Sequence, residues 1–405
     1  MYQPLTEQTV AAYVQRLPLE GVFQSGEPLE GIDLADGNVN LVFRVRSTIE
    51  PQRSVIVKQA LPYARIVGES FPMPLERARI EADLLAIEGE LVPDLVPQLY
   101  HHDHEMYAIV MQDLNQHVIM RSGLVRQVVY PHFAEHIGSF LARTLFYTSD
   151  LYLPHDVKKH RAAKHVNPGL CKVTEDLVFT DPYTTNDGNR WNSELDPQVA
   201  AIRADDALRS EFYLLKEEFM TKGEALIHGD LHTGSIMVNA QETKVIDPEF
   251  AFYGPMAFDT GLLMANLALS YCSQPFHTSD PAPYQRWLLD TMRQCWAVFE
   301  REFRSLWAQE LNPQWGTDAF REKYLLRLLR STAGYAAAEV MRRILGLAHV
   351  SDLESIADPK QRAVAESRAL NIGRTWIMNY RGIANIDDLV KVVEDSAPSY
   401  PYASP

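Results

Sequence analysis

The sequence predicts an α+β chain in two lobes, an antiparallel sheet followed by a mainly helical body, on three observations. Its 405 residues exceed one ordinary core. Short β-rich apolar runs dominate from Leu41 to Met111. Past Gln112-Asp113-Leu114 long helical periodicities take over, so the lobes are assigned to residues 1–112 and 113–405.

Each element has its own signal. Val10, Ala11, Tyr13, Val14 and Leu17 recur at helical spacing and open the chain with an amphipathic helix. Leu41–Val45 and Val55–Val57 read as strands around a turn at Glu50-Pro51, and Leu75–Ile87 returns to helical spacing. Met106–Met111 is a further strand. His101, His102 and His104, beside Asp103, precede it in what reads as a solvated loop. Helices are expected over Pro131–Leu145 and Tyr324–Leu345, and an exposed loop over Asp181–Pro197, which is crowded with Pro, Asn, Asp and Gly.

Composition bounds the function. With 46% hydrophobic and 22% charged residues the chain is of globular type, and a net charge of −15 opposes broad contact with nucleic acid or anionic lipid. Cys171, Cys272 and Cys295 are odd in number and widely spaced, which favours neither disulfides nor a cysteine zinc site and points to a reducing, cytoplasmic setting. Neither a signal peptide nor a membrane-spanning run is apparent.

The chemistry concentrates between Ala225 and Glu249. A strand leads into His228-Gly229-Asp230, a second strand covers Ile236–Val238, and a third, Lys244-Val-Ile246, delivers Asp247 and Glu249. Phosphoryl transfer from ATP asks for one carboxylate to orient a hydroxyl, another to hold Mg²⁺ on the phosphates, and a lysine to steady them. Asp230, Asp247 and Lys58 suit those tasks, Asp247 standing 17 positions after Asp230.

These residues resemble the signature of the aminoglycoside phosphotransferase and choline kinase superfamily. More narrowly, His-Gly-Asp-Leu-His-Thr-Gly-Ser at 228–235 with Asp-Pro-Glu-Phe-Ala-Phe-Tyr-Gly-Pro at 247–255 looks like the 5-methylthioribose kinase family within it. The resemblance implies a bilobal protein-kinase-like fold, ATP and Mg²⁺ as cofactors, and transfer to the anomeric C1 hydroxyl of S-methyl-5-thioribose, a step of methionine salvage. It makes Asp230 the catalytic carboxylate and Asp247 and Glu249 the metal ligands. Lys58 then contacts the α- and β-phosphates, paired with Glu81, for which Glu76 competes. Gly37 and Asn40 lie in the loop over the phosphates, Gln112 and Leu114 line the adenine pocket, and Arg342 and Arg343 hold the sugar substrate along with Asp230. Ser235 stands where many relatives place an Asn for a second Mg²⁺. ATP and a small sugar are the expected partners, a homodimer is allowed, and neither nucleic acid nor membrane is expected.

Blander readings compete. Asp230 alone is a common turn residue, Arg342 and Arg343 suit a helix C-terminus before Gly346, and His228 and His232 are readable as loop-fixing histidines. Glu81 has Arg77 as an alternative partner within its own helix. An aminoglycoside, choline or homoserine kinase is the nearest alternative activity. A metallohydrolase using His228, Asp230, His232 and Asp247 around zinc is a more distant one.

Overall fold

A computed structural model describes residues 2–19, 21–34, 39–65 and 68–400. Gly37, expected over the phosphates, lies outside them. Helix α1 (Glu7–Val14) precedes strands β1 (Leu29–Asp33), β2 (Leu41–Ser47), β3 (Ser54–Gln59), β4 (Tyr63–Ala64) and β5 (Gly68–Pro72), then helix α2 (Arg77–Leu91) and strands β6 (Leu99–Asp103) and β7 (Ala108–Gln112). Five of these strands form one antiparallel sheet in the order β1-β2-β3-β7-β6.

Strand alternation sorts the two faces of this sheet. Val55 and Val57 of β3 join Phe43, Val45 and Val110 in packing beneath Val10 and Val14 of α1. Ile56 points the other way, with Ile109 and Met111, onto Ala82 and Leu85 of α2. Lys58 shares the parity of Ile56, so the same period directs its side chain toward α2.

His101, His102 and Asp103 depart from expectation: they belong to strand β6 rather than to a solvated loop. An edge strand needs a backbone partner on one side only and tolerates polar side chains, which period-based reading discounts. Gln112 and Leu114 begin the passage out of the sheet. Asp113 between them accepts from Arg44 Nε at 2.6 Å and Ser54 Oγ at 2.6 Å, fastening the passage to β2 and β3.

The helical body contains β8 (Val118–Ile119), α3 (Met120–Val125), α4 (Phe133–Tyr147), α5 (His155–Lys164), α6 (Pro168–Phe179), α7 (Asp196–Ala204) and α8 (Asp206–Thr221). Four short strands follow, β9 (Ala225–Ile227), β10 (Ile236–Val238), β11 (Thr243–Val245) and β12 (Phe252–Gly254). The chain then runs through α9 (Met256–Ser273), α10 (Ala282–Glu310), α11 (Asp318–Leu345), α12 (Ser351–Glu354), α13 (Pro359–Asn379) and α14 (Ile386–Glu394). Every residue of α9 is buried, and α11 packs along it over Gly261, whose missing side chain lets Tyr335 and the Thr332 carbonyl approach. One apolar core joins these helices to the short strands.

Residues 181–197 are more structured than their composition suggests. Two 3₁₀ turns, Asp181–Tyr183 and Ser193–Leu195, flank an exposed middle, and Tyr183 is buried against Phe212 with ring centroids 4.1 Å apart. Among the described residues no helix is long and apolar enough to cross a membrane.

Candidate active site

Two hairpin-like pairings deliver the acidic loops. β9 pairs with β12, and β10 pairs with both β11 and β8. The loop His228-Gly229-Asp230 therefore leaves the end of β9 while Asp247-Pro248-Glu249 leaves the end of β11. Gly229 has φ +80°, and an added Cβ would collide with the Phe250 carbonyl oxygen, so this crossing of the two loops requires glycine. Asp247 itself sits in the left-handed region at φ 63°, a conformation that a short acidic side chain tolerates better than most.

His228 holds the first loop. Its Nε2 donates to the Ile246 carbonyl at 2.9 Å and its Nδ1 accepts from the Asp230 N–H at 3.2 Å. Both ring nitrogens are thus spent, which removes His228 from any zinc ligand set. Among the described residues no group of three or more His, Cys, Asp or Glu is gathered to hold a metal.

Lys58 crosses between the sheet and the helical body. Its Nζ donates to Glu81 Oε1 at 2.9 Å and to Asp247 Oδ1 at 2.8 Å. Burial would lower its pKa, but Asp247, Glu81 and Glu249 outweigh this and hold the ammonium above its usual value. Burial pushes the Glu81 carboxyl up, and Lys58 pulls it back. The competition between Glu76 and Glu81 is resolved by geometry, since exposed Glu76 pairs with Arg79 and of the two only Glu81 reaches the lysine.

Beside this pair lies a second link between the lobes. Arg77 is fully buried and places Nε 3.2 Å from Glu249 Oε2, while its Nη2 donates to Asn40 Oδ1 at 2.8 Å. Asn40 Nδ2 in turn donates to Glu249 Oε2 at 2.9 Å. The amide of Asn40 is used at both ends, leaving its backbone as the part available to a ligand. Both contacts to Glu249 fall on Oε2, and Oε1 takes part in neither. Gln112 accepts from the Gln98 N–H through its side chain at 3.3 Å, and Leu114, two positions on, is buried.

On α11, Arg342 places Nη2 3.8 Å from Asp230 Oδ1. Arg342 and Arg343 are both buried in the last turn of α11 and share one carboxylate, Glu339, with Arg343 Nε at 2.7 Å and Arg342 Nε bonded to the other oxygen. This is not the solvent-exposed arrangement of ordinary helix-end cations. Burial would raise the Glu339 pKa, but the two arginines hold it well below the usual carboxylate range. A third arginine, Arg121 of α3, donates through Nη2 to Asn266 Oδ1 at 2.8 Å and lies 3.2 Å from Asp352. Burial draws its pKa down to about 10.

Residues 31–295 match the model of the phosphotransferase enzyme family. A methylthioribose kinase of a Geobacillus species (strain WCH70) is 43% identical over 390 residues, covering 96% of this chain and 95% of that protein. The chain belongs to the methylthioribose kinase family. Another methylthioribose kinase, from Yersinia enterocolitica, is 43% identical over 361 residues, 88% of this chain and 90% of its own. Among solved structures, an ethanolamine kinase of Plasmodium vivax aligns over 96% of this chain and 91% of its own, with a TM-score of 0.47 and 13% identity.

Several polar groups of this methylthioribose kinase family member escape motif reading. Asp259, near the start of α9, accepts from the N–H of His228 at 2.7 Å and of Gly229 at 2.9 Å, so a buried carboxylate holds the backbone leading into Asp230. Asn266 donates to Glu339 at 3.2 Å, and Asn167 donates to the Glu249 carbonyl at 2.9 Å. Their common signal is available in the sequence: Asp259, Asn266 and Glu339 interrupt otherwise apolar helical stretches, where a polar group needs a partner. Arg77 and Arg121 carry no such signal, because an arginine on a helix is ordinarily solvated.

Proposed function

We propose that this chain transfers the γ-phosphoryl group of ATP to the anomeric C1 hydroxyl of S-methyl-5-thioribose, giving the 1-phosphate, in the cytoplasm and within methionine salvage. The observation that carries the reading is the convergence of Lys58 with Asp247, together with the approach of Arg342 to Asp230 on the neighbouring loop. Membership of the family supports the acceptor.

Asp230 orients the C1 hydroxyl and accepts its proton as the oxygen–phosphorus bond forms and the bond from the γ-phosphorus to the bridging oxygen of ADP breaks. Lys58, held by Glu81, contacts the α- and β-phosphates, and the backbone around Gly37 and Asn40 donates to them. Gln112 and Leu114 line the adenine pocket, where the chain passes from the smaller lobe, residues 1–112, to the larger, 113–405. Arg342 and Arg343 hold sugar hydroxyls and offset charge on the moving group.

The donors suit Mg²⁺. It prefers oxygen ligands and keeps several waters, so two carboxylates and the substrate's phosphates suffice. Asp247, half exposed with one oxygen on Lys58, and Glu249 through Oε1 are the residues that would hold it. Bound there, the ion would neutralise charge on the β- and γ-phosphates.

A cationic acceptor is disfavoured beside Arg342 and Arg343. An ATP-consumption screen over methylthioribose, choline, homoserine and an aminoglycoside should show preference for methylthioribose, and preference for a cationic acceptor would overturn the assignment. Asp230→Ala should lower kcat by about 10²–10⁴-fold with nucleotide binding retained. A homodimer is the proposed assembly, checked by light scattering of the purified chain.

A further inference from the structure

His232 is a residue of the central motif that the proposed chemistry leaves without a task. Its Nδ1 accepts from the Gly234 N–H at 3.1 Å and lies 3.1 Å from Ser235 Oγ. A nitrogen that accepts a backbone N–H carries no proton, so the ring proton resides on Nε2. That atom lies 3.5 Å from Asp230 Oδ2. The carboxylate of Asp230 thus has two different neighbours, His232 at Oδ2 and Arg342 at Oδ1, the latter at 3.8 Å.

The surroundings keep the imidazole in this form. Burial, with Arg121 and Arg343 next in weight, holds its pKa well below the ordinary value, and Glu339 and Arg342 oppose each other in smaller measure. A second proton on the ring would also break the bond from Gly234. Ser235, which stands where many superfamily relatives carry an asparagine, is buried with its hydroxyl turned to His232. The side chain at that position therefore belongs to the support of the histidine.

We propose that His232 is a positioning residue for Asp230: its Nε2–H donates to Oδ2, fixes the plane of the carboxylate, and leaves Oδ1 to take the proton of the acceptor hydroxyl. The inference rests on the reading of Asp230 as the orienting carboxylate. Apo distances at such contacts are commonly long and tighten with substrate bound, so 3.5 Å is a starting separation. No proton leaves the histidine; the acceptor's proton goes to Asp230.

Two amides separate the functions of the two nitrogens. In His232→Asn the side-chain oxygen replaces Nδ1 as the acceptor for Gly234 but nothing reaches Asp230, whereas in His232→Gln the longer amide places an N–H near where Nε2–H stood. Both full-length variants, with Asp230→Asn, are assayed for kcat, for KM of ATP and of the acceptor, and for melting temperature. His232→Asn should keep its melting temperature and hold KM for ATP within about twofold while kcat falls about 10–100-fold, a loss of the size seen when a supporting partner is removed and smaller than that of a group which itself transfers the proton. His232→Gln should recover part of that loss. Wild-type kcat in His232→Asn overturns the proposal. So does a parallel fall of kcat, ATP affinity and melting temperature in both variants, the pattern of a merely structural histidine. Wild-type turnover in Asp230→Asn would instead overturn the reading of Asp230, a result distinguishable from failure at His232.

Discussion

Glu88 shows at the scale of one residue how this protein carries uncompensated polar groups close to the site. It lies buried on α2, its Oε2 has no hydrogen-bond partner, and Asp259, the carboxylate that holds the His228-Gly229 backbone, is near enough to repel it. Burial, and then Asp259, push its pKa well above 4.5. A raised carboxyl pKa means that the folded chain keeps a proton which the unfolded chain releases. No stability is lost to this group below pH 4.5; above it, stability falls by about 1.4 kcal/mol per pH unit until the folded carboxyl ionises. Glu88→Gln removes the titration, so the variant should lose less stability than the parent between pH 5 and pH 8. Urea unfolding at both values measures it, and an unchanged pH dependence would count against a protonated Glu88.

Helix α2 carries the coupling at the scale of an element. Arg77 and Glu81 are one turn apart on the same face, so a single helix presents a cation to Glu249 and an anion to Lys58, each beyond its own lobe or strand. Removing one member of a buried pair leaves the other charged and dry, which costs more than the pair contributes. Arg77→Ala should therefore destabilise the protein by about 3–5 kcal/mol; a urea midpoint unchanged from wild type would show that Glu249 does not depend on it. The same helix marks where sequence reading stops. Its periodicity is legible in Leu75–Ile87, and the candidacy of Glu81 comes from the family resemblance, which implies an acid on the helix after the strand lysine. That Arg77 turns inward to Asn40 and Glu249 is not legible, since those partners lie 37 and 172 positions away and no local pattern encodes them. The motif loops are the opposite case. His228, Asp230, Asp247 and Glu249 are compact in sequence because two short strand pairs bring them together locally, whereas Asp259 holds the first loop, and Glu339 holds the arginines near Asp230, from helices chosen by packing. Strand β6 was hidden for a third reason, as its polar edge residues lack the alternation that marks a half-buried strand.

The whole molecule, finally, is an acidic body with a net charge of −15 that has to receive a polyanionic nucleotide. Its long-range field opposes ATP, so attraction has to come at short range from the cations gathered around Lys58. Lys58 is a cation that links the sheet to the helical body, joined to Glu81 on one side and Asp247 on the other. A nucleotide seated there engages both lobes at once, and a ligand that binds only the folded state stabilises it by mass action, about 2.7 kcal/mol at a hundred times its Kd. Mg-ATP should therefore raise the melting temperature of the wild-type chain. Asp230→Asn should keep that rise, because Asp230 is proposed to face the acceptor, while Lys58→Met should lose most of it at the same nucleotide concentration. Each variant serves as its own reference, so the baseline cost of leaving Glu81 without its ammonium cancels. An equal ATP-induced shift in Lys58→Met and wild type would place the triphosphate elsewhere than on the bridge between the lobes.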